Sequence, residues 1–273
     1  MKLVTLLENT SLTEEFRHAH GLSLYLETNG LRILFDAGPN AAFAENAEKL
    51  GVDLAAVDLA ILSHGHYDHG GGLLKFLELN SHAKVCIHPG AFGQYYAVTG
   101  GELRGIGLNP ELKKYENRFL WTEKATQISD GLTLFDGVED SFGENAGTNL
   151  KEMVNGELLP DAFAHEQDLL VTEGGKSVVL AGCAHCGIVN IREKAAALLG
   201  REPDVMVGGF HLFEIQPGDT AGEALIDRVG QSLAQGNTVY YTGHCTGEYA
   251  YSRLKTILGR RLIRLSSGAA FEI

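Results

Sequence analysis

Three histidines and one aspartate lie within six positions of the segment SHGHYDHGGG, residues 63–72. An apolar run with the length of a buried strand precedes the segment. His64 and His66 are two positions apart at the end of that run, so their side chains can point to the same side, and Asp68 and His69 follow on the turn into a helix. Neutral imidazoles and carboxylates are the ligands of zinc and related divalent ions. The segment therefore predicts a metal site.

Three later histidines repeat this pattern, each after an apolar strand and one or more small residues. His185 follows SVVLAG, His211 follows DVMVG and His244 follows TVYYTG. Loops at the ends of strands carry functional side chains, and a sheet brings such loops together from distant parts of the chain. We expect these histidines to converge with those of residues 63–72 at one rim.

The strand and helix patterns differ between the two halves of the chain. The N-terminal part predicts the strands KLVTLLEN, LSLYLETN and LRILFDAG, with a hairpin turn at Asn29-Gly30. From residue 168 onward, a hairpin around Gly174-Gly175 is followed by alternating strands and helices and one closing strand, LIRLSSGAAFEI. Two sheets packed face to face with helices outside would accommodate both halves. We expect one domain over residues 1–273.

The middle of the chain has weaker periodicity. RFLWTEKATQI and LTLFDGV predict strands, and residues 141–166 read as one long loop. A loop of that length in a compact domain is usually functional. We therefore expect a flap or insertion over the site within residues 91–165.

Charge and composition narrow the class of partner. The chain has 22 basic and 35 acidic residues, a formal net charge of −13, which disfavours nucleic acid. No secretory signal and no run of about 20 apolar residues is evident, so a cytoplasmic protein without membrane contact is expected. The four cysteines do not form a disulfide framework, and three of them lie beside histidines, which favours reduced thiols. The expected partner is a small-molecule substrate, and the oligomeric state is not indicated.

The histidine motifs resemble those of a known family. SHGHYDHGGG matches the HxHxDH motif of the metallo-β-lactamase-fold hydrolases, FDAG at residues 35–38 resembles their strand-end aspartate turn, and GHCTG resembles their last histidine motif. GLS at residues 21–23, GCAHCGIVNI, GGFHL and HCTG together resemble the dihydropterin-(ribofuranosyl)aminobenzene-phosphate synthase subgroup. The resemblance implies an α/β fold, a four-layer αββα sandwich with a one- or two-metal site at the edge of the sheets.

The resemblance also implies a ligand set. It assigns His64 and His66 to a first ion, and it places Asp36 under the site as a hydrogen-bonding residue. To a second ion it assigns three residues: Asp68, His69 and His244.

The chain departs from the family pattern after the strand SVVLAG. In one register Cys183 replaces the bridging aspartate of many members, and His165 completes the first site. In the other register His185 is the first-site ligand, and His211 lies where the bridging acid would be. We favour His185 as the ligand, with Cys183 as a further candidate ligand or neighbour. His165 is then expected at the surface.

A metal ion with an open position lowers the pKa of bound water, so the expected activity is metal-dependent hydrolysis by a metal-bound hydroxide. Two divalent ions are expected, with zinc favoured over manganese or iron, because oxygen-reducing diiron relatives have a glutamate where this chain has His66. Asp68 would orient the nucleophile or take its proton, and His211 would stabilise charge on the substrate. Further substrate contacts are expected from His20 and from Tyr95, which with Phe92 and Tyr96 would form a wall.

The expected substrate is a small phosphate ester or cyclic phosphodiester, which could be related to pterins. A thioester or lactone hydrolase is an alternative within the same family. An alternative of another class is a noncatalytic metal-binding module in which Cys183 closes the coordination sphere.

Overall fold

The computed structural model describes residues 1–143 and 149–273. Its strands are β1 (Lys2–Leu7), β2 (Ser23–Thr28), β3 (Leu31–Phe35), β4 (Leu59–Ile61), β5 (Lys84–Ile87), β6 (Tyr95–Thr99), β7 (Glu102–Gly105), β8 (Phe119–Trp121), β9 (Thr126–Ser129), β10 (Leu132–Asp136), β11 (Leu150–Val154), β12 (Glu157–Pro160), β13 (Gln167–Glu173), β14 (Lys176–Leu180), β15 (Val205–Val207), β16 (Val239–Thr242), β17 (Leu262–Arg264) and β18 (Ala270–Glu272). Its α-helices are α1 (Ala42–Lys49), α2 (Tyr67–Gly70), α3 (Leu73–Leu79), α4 (Ile188–Leu199), α5 (Thr220–Ala234) and α6 (Glu248–Leu258).

Two large sheets form the centre of the described part of the chain. The first has the order β18-β1-β2-β3-β4-β5-β8, and the second has the order β17-β16-β15-β14-β13-β10-β9. In each sheet one half is antiparallel and the other half is parallel. The parallel strands β4, β14, β15 and β16 precede the histidine segments, so their carboxyl ends deliver those segments.

Three apolar layers hold the two large sheets and the α-helices together. Residues of both sheets, such as Phe35 and Leu180, form the layer between the sheets. Leu34 faces the other side of β3 and packs in a second layer with residues of α1 and α3, such as Phe43 and Phe76. The third layer joins the second sheet to α4, α5 and α6. Strands covered on both faces read as continuous apolar runs, as they do here. The expected αββα sandwich is confirmed.

The prediction of one long loop over residues 141–166 was wrong. Part of it, residues 144–148, lies outside the described residues, but β11 and β12 form a hairpin that turns at Asn155-Gly156. With β6 and β7 they make a third, four-stranded sheet in the order β12-β11-β6-β7. The region expected to hold a flap therefore contributes a sheet.

The predicted closing strand is two strands in different sheets. β17 pairs with β16 in the second sheet, whereas β18 pairs with β1 in the first. The predicted hairpins at Asn29-Gly30 and Gly174-Gly175 are confirmed. Across the described residues, no helix has both the length and the apolar composition needed to cross a membrane.

Candidate metal centre

The segment after β4 carries the first group of candidate ligands. His64 and His66 follow the strand, and Asp68 and His69 lie on the short helix α2. The turn packs closely against the loop after β3: a Cβ atom at Gly72 would lie 2.2 Å from the carbonyl oxygen of Ala37. The glycines of the motif therefore allow the turn to reach its position.

The second sheet delivers the other candidates from neighbouring parallel strands. Cys183 and His185 follow β14, His211 follows β15, and His244 follows β16. All four reach the same cavity as the segment after β4. The recurrence of histidines after apolar strands thus corresponds to one shared rim.

Four buried side chains form one compact group of ligand atoms, which lie within 4.8 Å of one another: Asp68, His69, Cys183 and His244. The Nε2 atom of His69 lies 3.1 Å from Cys183 Sγ and 3.1 Å from His244 Nε2. The Asp68 Oδ2 atom is 3.4 Å from His244 Nε2. We call this the second-ion group.

A second set of ligand atoms surrounds His64. It forms one group with Cys183 and His185 and another with His66 and Asp68. The ring of His185 lies 4.9 Å from that of His64 and 5.0 Å from that of His66, between ring centres. We call His64, His66 and His185 the first-ion group. Because Cys183 also belongs to the second-ion group, its thiol lies between the two.

Unpartnered nitrogens indicate that these groups fit metal ions. Nε2 of His64 and both ring nitrogens of His185 are buried and have no hydrogen-bond partner among the described residues. A buried polar atom without a partner costs free energy, which coordination of an ion would offset. Imidazole, carboxylate and thiolate are suitable ligands for zinc and similar divalent ions. The donor set therefore fits the cofactor expected from the sequence.

Asp36 lies beneath both groups and hydrogen-bonds there, the role that the family resemblance implies for it. Its Oδ2 atom accepts hydrogen bonds from His69 Nδ1 at 2.6 Å and from Ser63 Oγ at 2.7 Å. Because the Ser63 hydroxyl donates to Asp36, it accepts from His64 Nδ1 at 2.8 Å. Both histidines therefore carry their proton on Nδ1 and keep the Nε2 lone pair for the centre.

Asn9 and Glu8 hold His244, and the sequence gives no metal-type signal for either. The Asn9 Oδ1 atom accepts a hydrogen bond from His244 Nδ1 at 2.8 Å, which leaves Nε2 free for the second-ion group. The buried Glu8 carboxylate accepts from the backbone N–H of His244. Their only hint is the position of polar residues at the end of an apolar strand.

His165 is buried, so its expected surface position was wrong. It accepts a hydrogen bond from the Gly65 backbone N–H at Nδ1, 2.9 Å away, so its proton is on Nε2. That Nε2 lies 3.3 Å from Asp161 Oδ2, and His66 Nε2 lies 3.5 Å from the same oxygen. His165 and Asp161 form a ligand-type cluster with His66 and lie behind it. His185, by contrast, lies with His64.

Burial and neighbouring charge set the protonation of the ligands. Burial, with neighbouring histidines, holds the pKa of His64 and of His185 well below the usual range, so both are neutral, as coordination requires. Burial lowers the pKa of His69 too, but Asp36 and Asp68 outweigh it and raise that pKa to about 9, so His69 must release its Nε2 proton when an ion binds. Burial raises the pKa of the Cys183 thiol, which is thus protonated unless an ion binds.

A cavity of about 430 Å³ opens onto both groups. His20 lies in its wall with a half-exposed side chain, and its Nε2 is 3.4 Å from Asp68 Oδ2. His211 also lines the cavity, and its Nδ1 is buried without a partner among the described residues. The backbone φ angle of His211 is +47°, an unusual conformation for a histidine and one found more often at functional sites.

Tyr95 does not line this cavity, contrary to its predicted contact with substrate. It is buried, donates a hydrogen bond to the Gly90 carbonyl oxygen at 2.6 Å and packs on His165. Phe92 packs against Phe119 and Trp121. The predicted aromatic wall is therefore absent from the described lining, although Tyr67 and Phe213 contribute rings there.

Cys245 lies close to the candidate metal centre. Its ligand atom groups with those of Cys183 and His211, and its thiol donates to the Cys183 carbonyl oxygen at 3.4 Å. Burial raises its pKa, but contacts with Cys183, His244 and His211 outweigh this and lower it. The described cysteines are free thiols, as expected.

Comparison with known sequences identifies a family model and a curated relative. The model of the metallo-beta-lactamase superfamily matches residues 19–197. The 7,8-dihydropterin-6-methyl-4-(beta-D-ribofuranosyl)-aminobenzene-5′-phosphate synthase of Methanocaldococcus jannaschii is 30% identical over 267 residues, which cover 90% of this chain and 88% of the relative.

Solved structures show the same fold. A metal-dependent hydrolase of the beta-lactamase superfamily superposes with a TM-score of 0.85 and 29% identity, covering 100% of this chain and 99% of the other. Zn²⁺-bound PqqB from Methylobacterium extorquens has a TM-score of 0.60 and 13% identity, with 100% of each chain covered, and so supports the fold alone.

Proposed function

The chain is a member of the metallo-β-lactamase superfamily, and from this membership we propose that it is a hydrolase dependent on two divalent cations, zinc foremost. The proposed substrate is a small phosphate ester or cyclic phosphodiester. The observation that carries the proposal is the position of the second-ion group. Its ligand atoms lie within 4.8 Å of one another, and three of its residues, Asp68, Cys183 and His244, line an open cavity, where a substrate has access to them.

The ligand groups have separate roles in this proposal. His64, His66 and His185 would hold the first ion. The second ion would be held by Asp68, His69 and His244, and the Cys183 thiol lies between the two groups. A divalent ion in such a site supplies Lewis acidity and lowers the pKa of a bound water.

The remaining cavity residues act on the substrate and its proton. The Asp68 carboxylate is held ionised. Burial raises its pKa, but His69, His20 and His244 lower the pKa by more than burial raises it. An ionised carboxylate can accept the proton of the attacking water. His211 and His20 line the same cavity, where either can donate a hydrogen bond to a phosphoryl oxygen.

The name of the archaeal relative supports a phosphate-bearing substrate. That protein is named for a ribofuranosyl compound with a 5′-phosphate, which makes a pterin-related phosphate ester a candidate here. The same name describes a synthase, so formation of such a compound is the second candidate function. Hydrolysis of a simple diester would favour the first candidate over the second.

The test combines metal content with turnover. The purified protein, loaded with zinc, manganese or iron, is assayed with bis-p-nitrophenyl phosphate while bound metal is measured by mass spectrometry. We expect two ions per chain together with turnover. His66→Ala should lose metal and lower turnover by more than about 100-fold, with unchanged far-UV circular dichroism, because the ligand lies outside the apolar layers.

His82→Ala is the matched control, since His82 is exposed and lies outside the cavity. It should retain both metal and turnover. Near-normal turnover of metal-depleted His66→Ala protein would overturn the proposal. One tightly held ion without turnover would instead support a noncatalytic metal-binding module.

A further inference from the structure

One face of the third sheet forms part of the cavity wall. Ala97 of β6 pairs directly with Arg104 of β7, and both line the cavity. Thr99 and Ile106 lie two positions from Ala97 and Arg104, respectively, and also line it. Side chains two apart on a strand share a face, and directly paired residues face the same side. Arg104 therefore belongs to the face of β7 that is turned toward the cavity.

This hairpin is joined to the segment that carries the candidate ligands. Gly107 makes an isolated bridge with His66, and the Tyr67 backbone N–H donates to the Ile106 carbonyl oxygen at 2.8 Å. The Arg104 guanidinium lies over the Tyr67 ring, 5.1 Å from its centre, and donates to the Tyr67 hydroxyl at 3.1 Å. Arg104 is thus held at a defined place relative to His66 and Asp68, the neighbours of Tyr67.

Arg104 forms no ion pair with any of the described residues. No carboxylate there lies within salt-bridge distance of it, and no other arginine or lysine lines the described cavity. Glu214, also in the lining, accepts a hydrogen bond from Asn149. In a chain with a formal net charge of −13, a guanidinium that lines a cavity without an ion-pair partner is a suitable group to bind an anion.

We propose that Arg104 binds a second anionic group of the substrate, a phosphate or a carboxylate remote from the bond that is cleaved. This inference rests on the proposed hydrolase function and narrows its substrate class. Substrates would carry one reacting ester at the ion groups and a separate anion at β7. The Tyr67 ring and hydroxyl orient the guanidinium, so the two ends of the substrate are held at a fixed separation.

Three substrates with one leaving group test the proposal. They are thymidine 5′-(p-nitrophenyl phosphate), its 3′-phosphate derivative and its 3′-hemisuccinate derivative. We expect the 3′-phosphate, the 3′-hemisuccinate or both to raise kcat/KM by about tenfold or more over the parent compound, as charge-assisted hydrogen bonds do. The two derivatives distinguish phosphate from carboxylate.

Arg104→Ala should abolish this gain, so that its kcat/KM values for the three compounds agree within about threefold. Arg104→Lys should keep part of the gain, because it keeps the charge but loses the planar donor geometry. Arg260→Ala, at an exposed arginine outside the cavity, is the control and should behave as the wild type. An equal loss on all three compounds, or no gain in the wild type, would overturn the proposal while the hydrolase function stands.

Binding provides a readout that does not need turnover. The metal-loaded protein is titrated calorimetrically with thymidine 5′-phosphate and with thymidine 3′,5′-bisphosphate. The second phosphate should tighten binding about tenfold in the wild type and not in Arg104→Ala. If this difference appears without turnover of any ester, the anion site stands and the hydrolase function fails. If it is absent, the anion site for phosphate fails.

Discussion

A single carboxylate, that of Asp36, orients candidate ligands in both ion groups. It accepts directly from His69 and, through the Ser63 hydroxyl, fixes His64. Asp36→Asn should therefore weaken divalent-ion binding by about 10- to 100-fold, since loss of such supporting hydrogen bonds typically has that effect. Competition with a chromophoric chelator measures the affinity.

Ser63→Ala is the matched variant, because it removes only the link to His64. One of two binding steps should weaken, while the step assigned to the second-ion group keeps its affinity. Equal affinities for Asp36→Asn and the wild type would show that Asp36 does not orient the ligands.

The position of the proton on the His66 ring depends on the carboxylate behind it, that of Asp161. The Gly65 N–H places the proton of His165 on Nε2, beside Asp161, and the same carboxylate oxygen lies near Nε2 of His66. A carboxylate favours a proton on the nitrogen next to it, so Nδ1 of His66 is the nitrogen left for an ion. His66 would thus bind through a different ring atom from His64 and His69.

Residue patterns in the sequence predict most of the candidate ligands that the structure brings together, but not the residues that hold them in place. Histidines that repeatedly follow apolar strands indicate candidate metal ligands, because few roles other than metal binding place them there several times in one chain. Asn9 and Asp161 support candidate ligands from distant parts of the chain. The only local signal for Asn9 is its position at the end of an apolar strand, and nothing in its local pattern distinguishes Asp161 from other loop residues. The burial of His165 likewise depends on a contact with Gly65, 100 positions away.

At the level of elements, the ligand turn depends on close backbone packing. A Cβ atom at Gly72 would lie 2.2 Å from the Ala37 carbonyl oxygen, so Gly72→Ala must displace the turn or the loop after β3. We expect a loss of metal occupancy and of about 1–3 kcal/mol of stability, the usual effect of overpacking. Metal analysis and urea denaturation measure the two effects.

Gly105→Ala is the control for this substitution. A Cβ atom there meets nothing within 4 Å, and its backbone φ angle is not positive. It should leave both measurements near the wild-type values. A fully metallated, fully stable Gly72→Ala protein would show that the turn tolerates displacement.

The elements that the sequence predicts well are those buried on one or both faces. β3, β14 and α5 have apolar patterns dictated by the layers they join. β12 is exposed along its whole length, so its residues show no alternation that would reveal a strand. The Asn155-Gly156 pair was the available signal for that hairpin, since this dipeptide favours a tight turn between strands.

For the whole molecule, the candidate ligands connect the two large sheets. His64, His66, Asp68 and His69 follow a strand of the first sheet, whereas Cys183, His185 and His244 follow strands of the second. Removal of bound metal should therefore lower the melting temperature, because an ion that binds only the folded state stabilises it by about 2.7 kcal/mol at a hundredfold excess over Kd. Thermal denaturation with and without a chelator measures the shift.

The same chelator should lower the melting temperature of His66→Ala protein less, since that variant has lost one of the candidate ligands. Restoring zinc should return the wild-type melting temperature in a concentration-dependent manner. A melting temperature that neither the chelator nor zinc changes would contradict a metal-mediated link between the sheets.

The apolar layer between the sheets, which includes Phe35 and Leu180, affects the candidate metal centre although it lies apart from it. Because each sheet supplies part of both ion groups, the thickness of this layer sets the distance between candidate ligands of opposite sheets. A smaller or larger side chain in the layer would therefore change the affinity for divalent cations, although it contacts none of the candidate ligand atoms.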